Sequence, residues 1–127
     1  MDETSRTRRI AQEYVDSTER RDWDGLGALL AEHVVYEMPQ TRERFHGRST
    51  FLRFNQEYPG DWHLRARRIV ADGGHAALWL DARVGDEAMA ACVWLDVSED
   101  GLISRVTDYW PEPYEPPADR GYPVERW

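Results

Sequence analysis

The sequence predicts an α+β fold in which a curved antiparallel sheet wraps around three N-terminal helices and leaves a conical pocket between them. Two observations lead there. Apolar residues recur every three or four positions in the early segments that carry helices, and every second position after Tyr58. The turn-forming groups Gly73-Gly74, Gly85-Asp86 and Glu99-Asp100-Gly101 then divide the late segment into hairpin-sized pieces. Helices gathered early and strands gathered late mean segregated α+β rather than alternating layers. Such a sheet must curl to bury its inner face, and helices closing one end of the curl enclose a cavity.

The elements follow in order. Ile10, Ala11, Tyr14, Val15 and Thr18 share one face of a helix expected from about Ser5 to Arg21. Asp22 or Asp24 caps a short second helix carrying Leu26, Leu29 and Leu30. Val34-Val35-Tyr36-Glu37-Met38 reads as a strand stopped by Pro39. Gln40 to Arg48 reads as a polar loop, and Ser49 as the cap of a third helix with Phe51, Leu52, Phe54, Asn55 and Tyr58, ended by Pro59-Gly60. Leu64–Ala71, Ala76–Val84, Glu87–Val97 and Ile103–Trp110 read as four strands. The segment from Pro111 holds five prolines by Pro123, which predicts an extended, irregular tail over 111–127 on a single domain spanning 1–127.

Composition excludes several functions. A length of 127 residues suits one domain with a real core. No apolar run reaches 18 residues, so no membrane helix is expected, and Met1-Asp2-Glu3-Thr4-Ser5 lacks an apolar signal core; a cytoplasmic location follows. The net charge of −8 argues against nucleic-acid binding. All sixteen basic residues are arginine, a bias typical of GC-rich bacterial genomes, and the lack of lysine removes Schiff-base chemistry. Cys92, the single cysteine, reads as a buried thiol. There is no nucleophile elbow, phosphate loop, dinucleotide fingerprint or metal-ligand spacing, so neither a cofactor nor a metal is expected.

Aromatic residues are the strongest compositional signal: six Trp and six Tyr. Tyr14, Phe54, Tyr58, Trp62, Trp79, Trp94 and Trp110, with Met38, fall in the elements expected around the cavity and are the candidate ligand-binding residues. Asp108 is the first candidate for chemistry. Strand alternation sets it on one face with Ser104, Val106 and Trp110; among aromatics its carboxyl would be desolvated and suited to proton transfer. Asp81 is the second carboxylate, with a pair to Arg83 or across the sheet's outer face as its structural alternative. His33, His46, His63 and His75 are scattered, and the loops of His46 and His63 are expected to border a pocket mouth.

Three segments resemble the nuclear transport factor 2-like superfamily, which includes SnoaL-like polyketide cyclases, ketosteroid isomerases, limonene epoxide hydrolases and scytalone dehydratases. They are Asp22–Leu26 running through Leu29–Tyr36, His46–Phe51, and Glu99–Trp110, within a match over roughly residues 6 to 112. The resemblance implies the cystatin-like, nuclear transport factor 2-like fold. It aligns Asp108 with the acid/base aspartate of the cyclases. Their histidine two residues earlier is replaced by Val106, and the isomerase base that precedes a proline is replaced by Met38.

Two functions are expected from these readings. One is a cofactor-independent cyclase, isomerase, dehydratase or hydrolase acting on a hydrophobic oxygenated metabolite, with Asp108, or Asp81 as the second candidate, moving the proton and Tyr36 or Tyr14 holding the oxyanion. The other is a non-catalytic small-ligand-binding protein. A homodimer through the sheet face is also expected, because Ala88–Leu95 and Ala76–Leu80 are apolar at both parities.

Overall fold

Helix α1 (Glu3–Glu19) begins earlier than its apolar periodicity suggests, because Asp2 caps it: the Asp2 carboxylate accepts from the Ser5 N–H at 2.7 Å. It stops at Glu19 rather than Arg21. Arg21 adopts φ +58°, and Asp22 is taken up as the cap of α2 (Trp23–Leu29), accepting from the Gly25 N–H at 2.9 Å. A Cβ at Gly25 would lie 2.4 Å from that carboxylate, so the cap requires glycine. The computed structural model describes residues 1–127.

Leu30 is a strand residue, not a helical one: β1 runs Leu30–Met38 with an irregularity between Leu30 and Val35. The expected polar loop contains a strand, β2 (Glu43–His46), which pairs antiparallel with β1 through a turn in which Arg42 takes φ +61°. Only Phe45 of β2 is partly buried, so the segment lacks the apolar alternation that betrays a strand. α3 (Arg48–Glu57) is entered through Gly47 at φ +98°, with no side-chain cap; Ser49 already lies inside the helix. The meander follows as β3 (Trp62–Asp72), β4 (His75–Val84), β5 (Glu87–Val97) and β6 (Ile103–Tyr109). Beyond Trp110 the chain forms no helix or strand, as its prolines predict.

The six strands form one curved sheet in the order β2-β1-β6-β5-β4-β3. All neighbours are antiparallel except β1 and β6, which run parallel with Tyr36 level with Val106, so the sheet is mixed. This pair closes the fold, because it joins the strand that leaves the helices to the last strand of the meander. The inner face carries Leu78, Leu80 and Ala82 from β4, Val93 and Leu95 from β5, and Val106 and Asp108 from β6, all buried.

All five expected core residues of α1 are buried, and α1 packs chiefly on β3. Phe51 of α3 is wedged among aromatic rings, with centroids 5.3 Å from Tyr36 and 6.3 Å from both Tyr14 and Phe45. Truncating it removes contacts on three elements at once. Phe51→Ala is expected to cost about 3–5 kcal/mol in chemical denaturation, whereas Val70→Ala, at an exposed site, should stay within about 0.5 kcal/mol of the parent.

Candidate functional site

The inner face of the sheet, α1 and α3 enclose a cavity of about 210 Å³. Its walls are mostly apolar, and one carboxylate, that of Asp108, opens onto it. Six of the expected ligand-binding residues line it: Tyr14, Met38, Phe54, Tyr58, Trp62 and Trp110. Leu80, Ala82 and Val93 complete the walls where indoles were expected.

Trp79 and Trp94 do not reach the cavity. They point out of the opposite face of the sheet, 42% and 51% exposed. Strand parity explains both. Leu78, Leu80 and Ala82 take the inner positions of β4, and Ala91, Val93 and Leu95 those of β5, so each tryptophan alternates outward. The same parity removes Asp81 from the site. Its carboxylate accepts from Arg65 at 2.7 Å across the strand pair and has Arg67 at 3.8 Å, an outer-face ion pair in place of a catalytic group. Cys92 shares this outer face and is only partly buried, where a buried thiol was expected.

Asp108 is 6% exposed. Its Oδ2 accepts a hydrogen bond from the Tyr36 hydroxyl, whereas Oδ1 is buried without any protein partner. The parallel pairing makes this contact. Tyr36 is level with Val106, and Asp108 is the next residue of β6 on the same face, within reach of the phenol. Burial pushes the Asp108 carboxyl above the ordinary carboxylate range; the Tyr36 hydroxyl, and then the Trp110 side chain, pull it partly back. Both phenols move up as well, through burial first and the Asp108 charge second, so Tyr36 and Tyr14 stay protonated hydrogen-bond donors. Around this group Tyr36 stacks on Phe45 at 4.7 Å and packs against Phe54 at 5.5 Å, which fixes the phenol.

The mouth of the cavity is polar. His63 lies there, with Nδ1 3.2 Å from Glu19 and Nε2 3.0 Å from Asp61. Glu19 also accepts from the Leu64 N–H at 3.2 Å and pairs with Arg21 at 3.1 Å. The Arg21 guanidinium lies 3.4 Å from the centre of the Trp62 ring and donates to the Trp62 carbonyl. The left-handed Arg21 thus clamps the start of β3 to the end of α1. His46, the other histidine expected at a mouth, is an exposed residue of β2 away from the cavity. Arg83 was read only as a partner for Asp81, yet it lines the mouth beside His63. Arg83 has the outward parity of β4, so strand alternation carries no signal for its place at the rim.

The SnoaL-like domain model matches residues 11–106. No match was found among the curated proteins. Among solved structures, a candidate ketosteroid isomerase from Kribbella flavida is 52% identical, with a TM-score of 0.94 over 100% of this chain and 93% of that one. A candidate polyketide cyclase from Xanthomonas campestris is 26% identical, covering 87% and 93% of the two chains with a TM-score of 0.70. An LEH-like epoxide hydrolase of M. tuberculosis is 22% identical, covering 86% and 85% with a TM-score of 0.72, and shares the fold. With three quarters of its length matched by one family model and its architecture shared with these structures, the chain belongs to the SnoaL-like domain family on the nuclear transport factor 2-like fold.

Proposed function

We propose that this protein is a cofactor-independent acid/base enzyme acting on a small, hydrophobic, oxygenated metabolite, with Asp108 as its proton carrier. One observation carries the reading: Asp108 Oδ1 is buried at an apolar cavity with no partner, while Oδ2 is held by Tyr36. A buried polar atom left unsatisfied costs about 1–3 kcal/mol. That cost is hard to account for in a structural aspartate and fits one whose partner is the ligand.

In the proposed step Oδ1 takes a proton from the carbon beside a substrate carbonyl. The electron pair moves onto the carbonyl oxygen, which accepts from the Tyr14 hydroxyl, since the Tyr36 proton is given to Asp108 Oδ2. Protonated Asp108 then returns the proton: to another carbon in an isomerisation, to the alkoxide oxygen formed when the enolate carbon attacks a second carbonyl in a ring closure, or to a departing hydroxyl that leaves as water in a dehydration. A hydrolase would use the same carboxylate to take a proton from attacking water. The name of the 52% identical Kribbella protein supports the isomerase class. The cavity, at about 210 Å³, lies below the range of about 300–1,000 Å³ usual for ligand pockets, which favours a substrate smaller than a steroid. We place the reaction in the cytoplasm; no helix is long and apolar enough to cross a membrane.

A second reading, a non-catalytic ligand carrier, draws on Val106 and Met38. Val106 is buried in the core and Met38 lines the cavity, so neither position supplies a second ionisable group. The two readings part on Asp108→Asn. For an enzyme, turnover should fall by about 10²–10⁴ while binding and fold persist; unchanged turnover would make Asp108 structural.

A pH test needs no substrate. Because burial raises the Asp108 pKa in the folded state, the folded protein binds more protons than the unfolded one between about pH 3.9 and the raised value. Stability from this group is therefore complete below that window and lost as pH rises through the folded pKa. Asp108→Asn should flatten that dependence and leave the protein at least as stable at neutral pH. In carbon NMR titrations Tyr36→Phe should move the Asp108 midpoint further up, since the Tyr36 bond holds it down. A midpoint in the ordinary carboxylate range in the parent would contradict both.

For assembly, we propose a homodimer through the outer sheet face. Trp79, Trp94 and Tyr109 are exposed there, in rows that pair Trp79 with Cys92 and Cys92 with Tyr109. Nearby charges are paired within the chain: Glu37 with Arg44 and Arg105, Asp81 with Arg65, His75 with Asp96. A two-fold axis brings a patch onto its own copy, and such pairing avoids repulsion between like charges. Sedimentation at micromolar concentration should give twice the 14.9 kDa chain mass, and Trp94→Glu should yield a folded monomer. A concentration-independent species at the chain mass in the parent would refute the dimer.

A further inference from the structure

The cavity has two chemically different ends. Asp108 and the two phenols hold the buried end, and His63 and Arg83 sit together at the mouth, directly opposed across β3 and β4. Arg83 makes no ion pair. Its strand neighbour Asp81 is taken by Arg65 and approached by Arg67. Every other charge at the mouth is engaged: Glu19 by Arg21, and Asp61 by His63. The acids of the adjoining hairpin, Asp86 and Glu87, do not line the cavity. Arg83 is the one arginine that lines the cavity, and Asp108 the one carboxylate, in a chain of net charge −8.

We infer that Arg83 is a specificity residue which receives a carboxylate on the substrate at the cavity mouth, while the reacting end of the same molecule lies against Asp108. The inference rests on the reading of the cavity as the substrate site. Guanidinium is planar and forked, and it matches a carboxylate in a two-bond geometry that ammonium cannot offer. A cavity of about 210 Å³ equals roughly seven water volumes, which suits a substrate of about one ring. The class is thus a small aromatic or alicyclic acid with a carbonyl remote from its carboxylate. Such a ligand enters oriented, its anion held at the wet rim and its apolar body drawn past Trp62 and Tyr58.

The test uses 3-phenylpropionate and its neutral amide, 3-phenylpropionamide, as probes in NMR titrations that follow the indole N–H signals of Trp62 and Trp110. The parent should bind the acid about tenfold more tightly than the amide, with the difference shrinking in high salt. Arg83→Gln should remove the preference and leave amide binding unchanged, and Arg83→Lys should restore part of it. Equal binding of acid and amide by the parent would overturn the inference and leave the cavity reading standing. A preference that survives Arg83→Gln would overturn the assignment to Arg83. Failure of both probes to shift either indole would overturn the cavity reading, and this inference with it.

Discussion

The parallel pairing of β1 with β6 is the constraint on which the rest of the structure depends. It is the one strand pair that no hairpin supplies, and it joins segments some 70 residues apart. Its register sets Tyr36 level with Val106 and so brings the phenol to the Asp108 carboxylate. A slip of one residue would turn Asp108 to the outer face and Tyr109 inward. The irregularity between Leu30 and Val35 lets the strand leave α2 and still meet β6 in this register. Phe45, Phe51 and Phe54 then hold the Tyr36 ring from three sides.

This constraint carries a cost that the fold has to offset. Asp108 occupies a position where an apolar residue would add to the core, as Val106 does two residues earlier. The buried carboxylate loses its hydration, and its Oδ1 makes no hydrogen bond. The aromatic cluster and the buried aliphatic residues of β4 and β5 supply the opposing stabilisation. The strained Arg21 belongs to the same pattern: its φ of +58° lets the guanidinium cover Trp62 and fix the cavity mouth. Neither feature is confined to the cavity: Arg42 takes φ +61° in the β1–β2 turn, and Arg6 Nε and Thr7 Oγ1 are also buried without partners.

Much of the fold was legible because its information is local. The faces of α1 and the three hairpins follow from periodicity and turn residues, and each stands where those signals put it. β2 was hidden because Glu43, Arg44 and His46 are polar and exposed at a sheet edge, where a strand needs no apolar alternation. The sequence set Asp108 on one face with Val106 and Trp110, but which parity meets the cavity is decided by the packing of the sheet on the helices. The outward direction of Trp79 and Trp94 could not be read, since β4 and β5 are apolar at both parities and size alone favours an aromatic for either face. Arg83 was illegible for a different reason. It has the outward parity of β4 and yet lines the cavity mouth.

What separates this site from a generic buried aspartate is the division of labour along the cavity. On the proposed reading, with Val106 and Met38 apolar, a single carboxylate both accepts and returns the proton. That suits reactions in which the two events happen at neighbouring atoms of one bound molecule, so the substrate must be held still between them. A cavity lined by aromatic rings restrains an apolar body but resists its sliding only weakly. A polar anchor at the far end would supply the missing restraint, because a directional charged contact fixes the distance from the mouth to the reacting carbon. The proposed roles of Asp108 in moving the proton and of Arg83 in setting the reach therefore answer one requirement, that of a cavity with a single carboxylate.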